Sequence, residues 1–147
     1  MRGHRAFSLT ELLVVVAILG LLLGLVTIIG RRALATRELD ASSRDLQAVL
    51  SFARMLAPNA GGARVDLVPP DGDQEGSYQV TASGRVQRQG RIPRGVELTL
   101  SPGSASRIDF AANGSVGEAI TITIRSRLTG ASRTLTVQAA TGAVQLQ

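Results

Sequence analysis

Nineteen consecutive residues, Leu12 to Gly30, carry no charge and are nearly all apolar, and one carboxylate, Glu11, stands at their start. As a helix rising about 1.5 Å per residue, the run spans roughly 28 Å, close to the ~30 Å hydrocarbon thickness of a bilayer. A carboxylate at the edge of such a run is costly to bury, so it needs a partner or a function. Ahead of it lie Arg2, His4 and Arg5, then the small Ala6, then Phe7-Ser8-Leu9-Thr10. Two plainer readings compete. A secretory signal also has a basic start and an apolar centre, and Ala33-Leu34-Ala35 imitates its small-x-small cleavage site. Its apolar region is usually only about 7–15 residues, however. A plain membrane anchor fits the length but leaves Glu11 unexplained. Flanking charge gives no orientation, because Arg31 and Arg32 balance Arg2 and Arg5.

The stretch from Ala6 to Val16 closely resembles the N-terminus of a type IV prepilin. The resemblance implies that a prepilin peptidase cuts between Ala6 and Phe7 and that the new amine of Phe7 is methylated. Glu11 then faces the Phe7 amine of a neighbouring subunit during assembly. Two departures stand out: the family usually has glycine where this chain has Ala6, and its proline near the end of the membrane helix is absent from Thr27-Ile28-Ile29. Without that proline a straighter helix is expected. The expected organisation is a leader at 1–6 and a transmembrane helix at 7–30. The same resemblance implies a single pass through the bacterial inner membrane, with the C-terminal domain in the periplasm.

Beyond the membrane run the pattern becomes amphipathic. Leu39, Leu46, Val49, Leu50, Ala53 and Leu56 form one apolar stripe, while Arg37, Glu38, Asp40, Ser43, Arg44 and Asp45 occupy much of the remaining surface. The helix is expected to continue over 31–57 and to stop at Pro58-Asn59-Ala60-Gly61-Gly62. From Ala63 the period becomes two, in Val65/Leu67, Tyr78/Val80/Ala82, Val96/Leu98/Leu100, Ile108/Phe110, Ile120/Ile122/Ile124, Leu135/Val137 and Val144/Leu146. Turn signals such as Ser83-Gly84, Asn113-Gly114, Thr129-Gly130 and Thr141-Gly142 lie between them. The spacing predicts an α+β fold, with a meander of antiparallel strands over 63–147 covered by the helix stripe.

Three pieces, Arg107 to Ser115, Ile120 to Ile124 and Thr134 to Leu146, are similar to the minor pseudopilins of the GspH/FimT group. That resemblance implies a type IV pilin-like fold and the role of a minor pseudopilin in a type II secretion system. Such a subunit is a structural component that assembles into the periplasmic pseudopilus for export of folded proteins. The alternative it leaves open is a minor type IV pilin acting in pilus assembly or DNA uptake. The implied partners are the prepilin peptidase, other pseudopilins or pilins through the N-terminal helix, and the membrane.

Composition argues against an enzyme and against a cofactor. The chain has no cysteine, and its one histidine, His4, falls in the expected leader. No thiol nucleophile, imidazole base or ordinary zinc site is then available. Glu97, Asp109 and Glu118 lie far apart in sequence, with nothing to bring two together. Asp71, Asp73 and Glu75, followed by Gly76, imitate the opening of a calcium loop, but Ala82 stands where the bidentate acid belongs. An acidic surface turn is expected there. Arg85, Arg88, Arg91 and Arg94 recur every third residue, yet Gly90 and Pro93 exclude a helix, so they are not expected on one face. Arg125, Arg127 and Arg133 border another turn. Few aromatics accompany these cations, so no base-stacking platform is visible. DNA-uptake members of the group tend to carry a basic motif near the C-terminus, whereas Gly142 to Gln147 is uncharged here. Nucleic acid is therefore not an expected partner.

Overall fold

The computed structural model describes residues 9–102 and 106–147, the side chains of 25–29 excepted. One helix, α1, spans Leu9–Ala60. Eight strands follow: β1 Ala63–Val68, β2 Gly76–Ala82, β3 Arg85–Ile92, β4 Val96–Ser101, β5 Arg107–Phe110, β6 Ile120–Ser126, β7 Ser132–Val137 and β8 Val144–Leu146. The chain divides after Leu34 into two compact units.

In the second unit the helix stripe is the centre of the core. Leu39, Leu46, Val49, Leu50, Ala53 and Ala57 are each at most 2% exposed. Ser43, expected at the surface, is fully buried beside them, its hydroxyl satisfied by donating to the Leu39 carbonyl at 2.7 Å. Ala57 replaces the expected Leu56, which is only half-buried, because position 57 lies one full turn beyond Ala53. The helix also passes the expected stop and reaches Ala60 with Pro58 in its last turn. Pro58 has no N–H to give the Arg54 carbonyl, so the ladder is one bond short there and the helix runs only two residues further. Termination falls to Gly61, at φ +71°, and to Gly62, whose N–H donates to the Ala57 carbonyl at 2.9 Å. That is the bond pattern by which glycine closes many helices.

The strands form two four-stranded antiparallel sheets, ordered β3-β2-β1-β5 and β4-β6-β7-β8. A simple meander is therefore corrected: β4 leaves for the second sheet, and β5 returns to pair with β1, setting Val65 opposite Ile108. Each sheet has one apolar face, and splitting them lets both faces share one core with the helix. Val65, Leu67, Val80, Ile108, Ile122, Ile124, Leu135 and Val137 are all fully buried in it.

Strand β3 was not expected, because Arg85 to Ile92 is polar on both faces and carries no period-two signal. It is joined to β2 by Ser83-Gly84, both at positive φ (51° and 71°), the two-residue turn that suits strand twist. Opposite Val80/Thr81 the register shifts and Gln87 is the extra residue. This bulge sets Arg88 opposite Val80 and Arg85 opposite Ala82, hence on the same face, contrary to expectation. Arg91, opposite Ser77, stays on the other.

Candidate functional site

In the first unit the helix displays apolar side chains on every side. Leu12, Leu13, Val14, Ile18, Leu21 and Leu22 are each between 51% and 76% exposed. A helix that is apolar all round is normally covered by lipid or by other helices. Glu11 is exposed near the start of the described helix. Ala6 and Phe7 lie outside the described residues. Among the described residues no helix is long and apolar enough to cross a membrane; the sequence run Leu12 to Gly30 includes the side chains 25–29 that are not described.

In the second unit, the segments that resemble minor pseudopilins meet in space. Within 111–115, the Gly114 N–H donates to Ala111 and the Ala111 N–H to Ser115, at 2.7 and 2.8 Å. The Asn113 side chain accepts from the Ser115 N–H and hydroxyl. Gly142, at φ +60°, closes a second turn by donating to the Gln138 carbonyl, and a Cβ there would run into the Gly114 carbonyl oxygen. Between the turns, the Val116 N–H donates to Ala139 at 3.0 Å. The Asn113-Gly114 turn therefore does more than reverse the chain: it is half of a close contact that only glycine at 142 permits.

Several surface arginines are held by carboxylates. On the outer face of the first sheet, Arg64 donates to Asp109 at 2.7 Å and Arg107 to Asp66 at 3.1 Å, each directly cross-strand. The bond to Asp109, and then its charge, raises the Arg64 pKa against some desolvation. Arg88 donates to Asp45 of the helix at 3.0 Å, and Arg133 pairs with Asp40 at 3.0 Å. The buried Tyr78 lies across Gly90 beside the first of these pairs. Burial raises the Tyr78 pKa above its ordinary value, and the nearby Asp45 carboxylate adds to the rise, while Arg88 opposes it.

The acidic turn is organised by an arginine. Arg127 donates to the carbonyls of Gly72 and Pro70 at 2.9 and 3.2 Å, and Glu75 takes Arg91 at 3.5 Å. Asp71 is bridged to Gln74. Among the described residues, no group of three or more acids, histidines or cysteines could hold a metal ion. Asp109 is committed to Arg64, Glu97 stands opposite Arg125, and Glu118 lies in a separate loop.

This architecture matches known proteins in both halves. Residues 1–27 match the prokaryotic N-terminal methylation motif, and residues 42–142 match the family described as type II transport protein GspH. The chain belongs to the GspH family. No curated protein matches it. Among solved structures it is similar to the type IV minor pilin FimU of Pseudomonas aeruginosa, at 21% identity and a TM-score of 0.62, covering 76% of this chain and 90% of that one. It is also similar to the minor pseudopilin EpsH of Vibrio cholerae, at 17% identity and a TM-score of 0.54, covering 75% and 96%. At these identities the structures speak for the type IV pilin-like fold alone. The GspH family and this fold are those of structural pilin and pseudopilin components.

Proposed function

We propose that this chain is a minor pseudopilin of a type II secretion system, a subunit of the periplasmic pseudopilus that serves export of folded proteins. The observation that carries the reading is the pairing of two matches in one chain: a methylation motif over 1–27 and a GspH domain over 42–142. The N-terminal segment supplies the chemistry. Prepilin peptidase removes 1–6, the Phe7 amine is methylated, and the 7–30 helix holds the subunit in the inner membrane until assembly. The 31–57 segment and the domain at 63–147 lie in the periplasm.

During assembly the apolar helix exchanges lipid for the helices of neighbouring pseudopilins. Glu11 then meets a Phe7 amine from the next subunit. A buried charge is expensive without its partner, so the pair rewards the correct stagger and penalises others more than it adds net stability. The experiment is Glu11→Gln, which keeps the helix and removes the charge. Membrane insertion and the folded domain are expected to persist, while recovery of the subunit with sheared pseudopili falls sharply. Normal recovery would sink the assigned role of Glu11.

The runner-up, a minor type IV pilin acting in pilus assembly or DNA uptake, shares the processing and the fold. DNA uptake would require free cations for phosphate, with binding that weakens steeply as salt rises. DNA-uptake members of the group tend to carry a basic motif where Gly142 to Gln147 is uncharged here, and this favours the secretion reading. Salt-sensitive DNA binding by the full chain would reverse that preference.

A further inference from the structure

We propose that the free edge of β3 binds an extended acidic segment of a partner protein, adding it as a further strand to the first sheet. Such a contact would lie in the second unit, whatever the processing of the N-terminus.

Strand β3 ends the order β3-β2-β1-β5, so only one of its sides is paired. Among the described residues its backbone makes no bond outside the ladder with β2. Its eight residues, at ~3.3 Å each, present roughly 26 Å of edge. The other edge strands are shorter: three residues in β8, four in β5 and six in β4. An open edge of this length is a template for another strand, and proteins commonly blunt such edges with charge and bulges. Here the bulge at Gln87 and the arginines repel a second copy of the same edge. The same arginines favour a strand that brings carboxylates.

The cations exceed the acids available to them. Arg88 has Asp45, and Arg91 reaches Glu75 only at 3.5 Å with its side chain 84% exposed. Arg85 and Arg94 have no carboxylate partner among the described residues. Because the bulge places Arg85 and Arg88 on one face and leaves Arg91 on the other, an incoming strand meets positive charge on both of its faces. At the C-terminal end of β3 a groove of about 190 Å³ opens against the helix, lined by Ala41, Leu46, Ile92 and Pro93 with Asp45 and Tyr78. It would take an aliphatic side chain. The fitting partner is thus an extended segment with several Asp or Glu residues and an apolar residue near one end. Main-chain bonds would give it affinity, and alternating side chains specificity.

The test uses the full chain in nanodiscs of neutral phosphatidylcholine. The probe is a fluorescent peptide of adjacent glutamate pairs separated by valines and ending in leucine, so that carboxylates lie on both faces, followed by anisotropy at low salt and by hydrogen exchange. The glutamate peptide is expected to bind and to slow exchange across Gln87 to Arg91. The doubly substituted R85E/R94E chain should bind it about tenfold more weakly. Peptides with lysine for glutamate, or with every amide of the glutamate and valine residues N-methylated, should fail. Absence of binding by the glutamate peptide, or equal binding by either control, would overturn the proposal. So would protection confined to β4 or β8, or β3 protection that rises with protein concentration without peptide and marks a second copy as the occupant.

Discussion

Gly84 and Gly142 both sit at positive φ, +71° and +60°, yet their replacement by alanine should have very different consequences. For an L-residue that backbone conformation costs about 1–2 kcal/mol, and this is all that Gly84→Ala should show, since nothing lies within 4 Å of its Cβ. At Gly142 the new methyl would overlap the Gly114 carbonyl oxygen and come within 3.3 Å of the Phe110 ring. That carbonyl belongs to a turn fixed by the bonds of Gly114 to Ala111 and of Ala111 to Ser115, so it cannot swing away without breaking them. Such overpacking adds about 1–3 kcal/mol, giving roughly 2–5 kcal/mol in total. Against a typical stability of about 5–15 kcal/mol, the loss at Gly142 is large and the loss at Gly84 tolerable. The chain has one tyrosine and no tryptophan, so Tyr78 fluorescence can report urea unfolding of the full chain in mild detergent. Equal midpoints for the two variants would refute the turn-to-turn contact.

Two further predictions concern the core and its polar border. Leu50→Ala should cost about 2–5 kcal/mol by urea titration, because the side chain is fully buried on the helix stripe, whereas Met55→Ala, at a position 66% exposed, should stay within about 0.5 kcal/mol. Tyr78 has a folded pKa raised above its unfolded value, so the fold favours its neutral form. Its contribution is fully present below about pH 10 and is lost as pH rises through the folded pKa. Stability measured from pH 8 to 11 should fall at the alkaline end, and more shallowly in Tyr78→Phe.

Much of this architecture was legible wherever a physical pattern repeats along the chain. The switch from an unbroken apolar run to a stripe through Leu39, Leu46 and Leu50, and then to alternation, located the helix and seven of the eight strands. The eighth, β3, was invisible because an edge strand that sends only Ile92 into the core needs no alternation, and its arginines read as turn or loop. The bulge at Gln87 depends on pairing with β2, so no local signal could put Arg85 and Arg88 on one face. The division into two sheets was hidden for the same reason. Period two shows which residues point inward and does not show which strand is the neighbour. At the N-terminus the situation is reversed. The expectations for Ala6, Phe7 and Glu11 rest on a contiguous motif, matched over residues 1–27, rather than on tertiary geometry.

The most direct measurement of the central claim is the mass of the N-terminal peptide of the protein taken from its native membrane. Prepilin processing predicts a chain that begins at Phe7, with its amine methylated and residues 1–6 gone. A chain beginning at Thr36 would mean ordinary secretion after Ala35. Retention of Met1 would mean a plain anchor, and either result would remove the basis for Glu11 as an assembly residue.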